Sequence, residues 1–189
     1  MEFVSHVPDS LKYSTDAGRT VYGGGGIVPD HIVQPDTAQS KIVANYMLRN
    51  RVGFNFVRDY LDENGDAFRK KWENNFDQFN KEFEWSEEQM DEVFNRLKEK
   101  NMVVTDTLSK PDFKSDTLFV PEGHLEEIEW MPRGLIKAEL ARQVWGLKRY
   151  YPVRNKLDET IDEAMKMWDE VAKLEEYAAT HTMPSNDRY

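Results

Sequence analysis

The chain has 189 residues, enough for one domain with a workable core, and its 39% hydrophobic and 12% aromatic content is too high for a disordered polymer. Lysine and arginine number 25 against 35 aspartates and glutamates, a net charge of −10 that argues against nucleic-acid binding and against attraction to anionic lipid. Cysteine is absent, which excludes disulfides and thiolate metal sites, and no run approaches the roughly 18 apolar residues needed to insert in a bilayer. The start Met1-Glu2-Phe3-Val4-Ser5-His6 lacks the basic and apolar segments of a signal peptide, so the expectation is a chain without an address of its own.

Residues 1–36 differ in texture from the rest. Leu11 to Thr15 and Arg19 to Tyr22 are short β-prone runs joined through Asp16-Ala17-Gly18, a pattern that predicts a hairpin. Ile32 and Val33 suggest one more short strand. From about Thr37 the apolar spacing becomes helical: Ile42, Val43, Tyr46 and Met47, then Phe56, Val57, Tyr60 and Leu61, with Gly53 as a point of bending or splitting. Asn64-Gly65-Asp66 is expected to interrupt this pattern. Phe68, Trp72, Phe76, Phe79 and Phe83 then recur at steps of three and four, which predicts one aromatic face of a helix, a core stripe rather than a ligand cage.

Ser86 followed by Gln89 has capping-box spacing and should open a helix with Met90, Val93, Phe94 and Leu97 on its buried side. Turn formers fill residues 101–123, read as a long connection with one extended piece at Thr117 to Val120. Leu125, Ile128 and Met131 restart a helix that Pro132 should kink or break, and Leu135 to Trp145 carry it on. A last helix from about Asp158 is expected to bury Leu157, Ile161, Ala164, Met165, Trp168, Val171 and Leu174. The residues from Thr180 onward are polar and read as a tail.

Chemistry is sparse. The glycine quartet Gly23 to Gly26 is followed by Ile27 and Val28, where a phosphate loop needs Lys and Ser or Thr, so a turn or close-packing role is the better reading. His6, His31, His124 and His181 lie far apart with no ligand spacing, and the reading is no metal and no cofactor. None of the eight serines sits in a nucleophile elbow.

The run Lys12-Tyr13-Ser14-Thr15-Asp16-Ala17-Gly18-Arg19-Thr20-Val21-Tyr22-Gly23-Gly24-Gly25-Gly26-Ile27-Val28-Pro29-Asp30 closely resembles a signature of the carboxy-terminal processing, or tail-specific, serine proteases. There a Tyr-x-Thr-x-x-Gly-Arg turn leads into a glycine-rich run and then Gly-Ile-x-Pro-Asp, near the end of the protease core. Leu135 to Gly146, then Tyr150-Tyr151 and Asp158 to Met167, is similar to the helical C-terminal extension of one bacterial branch of that family. Residues 117–129 depart from that pattern and look like an insertion.

The resemblance implies a mainly α fold: a hairpin and glycine-rich turn at 1–36 belonging to a truncated protease core, a helical C-terminal domain at 37–180, and a flexible tail at 181–189. It implies a parent endopeptidase working by acyl transfer through a Ser–Lys dyad. The segments that carry that serine and lysine do not occur here, so the chain as given is expected to have no peptidase activity. Gly18, Arg19, Tyr22, Gly23, Gly24, Gly25, Gly26, Pro29 and Asp30 are the residues to watch, as turn formers or as lining of the parent's cleft. The implied partners are the parent's upstream protease core and its PDZ domain, with a second copy of the chain as another; the implied location is the periplasm or cell envelope. A stand-alone helical interaction or dimerisation module is the alternative.

Overall fold

The computed structural model describes residues 8–15, 18, 20–23, 31–33, 39–105 and 116–181, and the chain in it is mainly helical. It divides into two units, Met1–Pro35 with Glu159–Tyr189 and Asp36–Asp158. In the first unit a single 3-10 turn at Asp9–Leu11 precedes strands β1 (Lys12–Ser14) and β2 (Thr20–Tyr22). They pair antiparallel with Tyr13 opposite Val21, as the two β-prone runs predict.

The second unit begins with α1 (Gln39–Arg49) and α2 (Val52–Trp72). The break between them falls at Arg51, whose φ of 56° lies in the left-handed region, rather than at Gly53. Gly53 has a different role: a Cβ there would come within 3.0 Å of the Ile136 side chain, so its absence lets the backbone approach closely. Asn64-Gly65-Asp66 does not interrupt α2, which runs through it without a break. The helix propensity lost at Gly65 is about 1 kcal/mol, small beside the burial of Phe68 and Trp72 on the following turns.

The aromatic run is not one helix face. Along a continuous helix Phe68 and Phe79 would stand about 16 Å apart, yet their ring centroids are 5.7 Å apart. The chain turns at Glu73 to Asn75 and folds back as α3 (Phe76–Glu82). Phe68, Trp72, Phe76, Phe79 and Phe83 are all buried, as a core stripe requires, and Trp145 closes the cluster at 4.9 Å from Phe79. Helix α4 (Glu87–Glu99) opens with the predicted capping box: Gln89 N–H donates to Ser86 Oγ at 3.3 Å, and Ser86 N–H donates to Gln89 Oε1 at 2.9 Å.

Asn101, with φ 70°, ends that helix region and leads into β3 (Met102–Thr105), which pairs in parallel with β4 (Leu118–Pro121). The extended piece expected at 117–120 therefore exists, and it has a partner that the turn-rich reading of 101–123 did not include. Tyr46 Oη from α1 lies between the Lys100 and Asp116 carbonyls that flank this pair, with its one O–H shared between them.

After a short helix α5 (Leu125–Ile128) comes α6 (Trp130–Trp145), the central helix of the unit, with Met131, Pro132, Leu135, Ile136, Ala138, Leu140 and Ala141 all buried. Pro132 sits in its first turn, where a missing N–H costs little, and the helix divides just before it, between Ile128 and Trp130. Gly146, φ 81°, ends α6 and starts α7 (Leu147–Arg154).

The final segment forms two helices, α8 (Glu159–Met165) and α9 (Trp168–His181). Their apolar stripe is not buried as expected: Met165 is 60% exposed and Trp168 64%, and Val171 and Leu174 are exposed as well. Among the described residues no helix is long and apolar enough to cross a membrane.

Candidate functional site

Gly18, Tyr22 and Gly23 lie within the described structure; Arg19, Gly24, Gly25, Gly26, Pro29 and Asp30 lie outside the described residues. Gly18 holds φ +76° and donates its N–H to the Thr15 carbonyl at 2.8 Å. An L side chain enters that region only with strain, which accounts for glycine at the turn. Gly23 N–H donates to Leu11 O at 2.8 Å, and a Cβ at 23 would lie 2.7 Å from the Tyr13 ring. The Tyr13 ring therefore packs against the backbone of the first of the four glycines. Both strands are exposed or half-exposed at every position, Tyr13 at 56%.

Among the described residues no serine hydroxyl is hydrogen-bonded to a lysine or histidine. Ser86 is the helix cap, and Ser40 Oγ is buried without a partner. No group of three or more His, Asp or Glu side chains that could hold a metal is found among the described residues.

The strongest concentration of unusual side chains is in the second unit, where α3 and its C-terminal flank face α6 and the end of α7. An open hollow of about 580 Å³ there is lined by Lys81, Glu84, Trp130, Arg133, Lys137 and Lys156 among others. Lys137 lies on the central helix and is 8% exposed, although it is a cation. Its Nζ stands 3.4 Å from Glu84 Oε1 and 5.7 Å from the centroid of the Phe79 ring. Burial pushes the Lys137 ammonium below the ordinary lysine range, opposed by Glu84 and reinforced by the like charge of Lys156.

The neighbouring cations differ in how far they are occupied. Arg133 is heavily engaged: its guanidinium donates to the Glu129 and Glu87 carboxylates and to the Trp85 carbonyl. Lys156 Nζ donates to Asn80 Oδ1 at 2.9 Å and to the Asn80 carbonyl at 3.2 Å. Lys81 is exposed and has no hydrogen-bond or ion-pair partner among the described residues. Trp130 stands at the rim, 42% exposed.

Sequence reasoning missed this hollow. Its lysines belong to three elements and form no linear motif. The one available signal was Lys137 itself, a charged residue set among Leu135, Ile136, Ala138, Leu140 and Ala141.

No curated protein and no solved structure matches the chain. A family model does match, over residues 43–146, more than half of the chain, and its description is a family of unknown function, DUF8443. The matched span starts inside α1 and ends at Gly146, so it lies wholly within the second unit and leaves out the hairpin, α8 and α9. The chain belongs to the family of unknown function DUF8443.

Proposed function

We propose that this chain is the non-catalytic C-terminal region of a carboxy-terminal processing serine endopeptidase, with the Ser–Lys dyad supplied by a protease core upstream of residues 1–36. The observation that carries the reading is the hairpin. The signature run from Lys12 to Asp30 contains two three-residue strands in register, a left-handed glycine at the Gly-Arg turn, and almost no burial on either face.

Two short strands are marginal on their own in water. Among the described residues each strand pairs only with the other, which leaves its outer edge for a further strand. Such a hairpin suits the last ribbon of a larger sheet. The exposed Trp168, Val171 and Leu174 of α9 likewise suit a helix whose apolar face is covered by another part of the parent. A periplasmic or envelope location belongs to the same proposal.

The test is to sequence the gene upstream of the Met1 codon. A reading frame that continues into a Gly-x-Ser-Ala-Ser-like segment and its lysine supports the proposal. A stop codon instead favours a second reading, a stand-alone helical interaction module. That reading has an observation of its own: Asp36–Asp158 forms a separate unit with its own buried core, and the family match lies inside it.

A further inference from the structure

We propose that the hollow over Lys137 is a binding site for a phosphoryl group, presented as a phosphomonoester whose organic part rests on Trp130. The proposal is independent of the protease reading, because it uses residues of the second unit alone.

Three observations lead to it. First, the chain has a net charge of −10, yet Lys81, Lys137 and Lys156 line one hollow beside Glu84, while Arg133, also in the lining, is paired with Glu129 and Glu87. Second, the Lys137 side chain is only 11% exposed and carries three donors. Its hydrogen-bond partner among the described residues is Glu84, at the long distance of 3.4 Å, and the Glu84 side chain is 66% exposed. The Lys137 ammonium has one long protein contact and otherwise lines the open hollow, so an anion there would replace solvent as the partner of its remaining donors. Third, the other two lysines leave capacity facing the same space: Lys81 is without a partner among the described residues, and Lys156 is held by Asn80 alone.

The chemistry favours phosphoryl over carboxylate. Lysine ammonium groups act as point charges with rotatable donors rather than as planar forks, which suits a tetrahedral group with several oxygens. A phosphomonoester offers several acceptor oxygens and close to two negative charges at neutral pH, so three lysines from separate elements can share one group. The exposed indole at the rim gives the organic part an apolar face, and the volume is within the range of small-molecule sites.

The experiment is calorimetric titration of the full chain with phenyl phosphate, inorganic phosphate and benzoate at constant ionic strength. The chain is compared with Lys137→Met, Lys81→Met and a distant surface control, Lys98→Met. Saturable binding of phenyl phosphate is expected, weakened roughly tenfold or more by Lys137→Met and less by Lys81→Met, as loss of a charge-assisted hydrogen bond implies. Lys98→Met should bind as the parent chain does. Phenyl phosphate binding more tightly than inorganic phosphate places the ester arm on Trp130; equal binding identifies bare phosphate as the ligand and removes the organic part from the proposal.

The inference is overturned if phenyl phosphate gives no saturable heat, if benzoate binds as tightly, or if Lys98→Met weakens binding as much as the pocket variants. Circular dichroism checks that Lys137→Met remains folded. Should it not, the exposed Lys81→Met decides: unchanged binding in that variant overturns the inference.

Discussion

Helices α4 and α9 carry the same kind of apolar stripe in sequence, but they end in opposite conditions. In α4 the apolar side is covered, with Met90, Val93, Phe94 and Leu97 buried. In α9 the corresponding stripe of Trp168, Val171 and Leu174 faces outward, and none of the described residues of α8 or α9 is buried. The contrast extends to the two units that hold them, one with a continuous core and the other with an exposed hairpin. An apolar stripe states that a face requires a partner. It does not state that the partner is in the same chain.

The largest effect that would sharpen this contrast is expected in the aromatic core. Phe79 is fully buried, with the rings of Phe68, Trp72, Phe76, Phe83 and Trp145 around it. Phe79→Ala should cost about 3–5 kcal/mol, measured as a lowered denaturant midpoint for the helical unit. A loss under about 1 kcal/mol would mean that this cluster is not the cooperative core. Next comes the cap: Ser86→Ala should cost about 1 kcal/mol and lower the melting temperature by a few degrees.

Lys137→Met should be neutral or stabilising, because replacing a poorly paired buried cation with an apolar side chain of similar length removes a desolvation cost. The pH dependence has a definite sign. The folded-state pKa of Lys137 is lowered, so in the window between that value and the ordinary 10.5 the unfolded state binds more protons. Its penalty is present in full below the folded pKa and is relieved as pH rises through that window. Alkaline unfolding curves of the parent chain should show this gain relative to Lys137→Met, and identical slopes would rule out a shifted lysine.

Smallest is Trp168→Ala, expected to change stability by no more than about 0.5 kcal/mol, as for exposed positions generally. A larger loss that grew with protein concentration would show the α9 stripe covered by a second copy, and would break the comparison between the two units.

Features governed by neighbours a few residues away were legible in the sequence. The Ser86–Gln89 box closes within one turn, and the hairpin follows from two β-prone runs about a glycine turn. The aromatic residues were identified as core because their bulk and spacing leave them little alternative. The site was less legible: the signature glycines read as turn formers, and Gly18 and Gly23 have that geometry, but the lysines of the hollow gave no local signal beyond the isolated charge at Lys137.

The sequence by itself determined the mainly helical class, the cap, the hairpin and the aromatic core, because short-range hydrogen bonds and hydrophobic periodicity act within a few residues. Tertiary structure alone decided that α2 passes through Gly65 and that α3 folds back at Asn75. It also decided that β3 finds β4 and that Lys81, Lys137 and Lys156 meet over one hollow. Each of these depends on contacts between distant segments, whose packing energy outweighs local propensities of about 1 kcal/mol or less per residue.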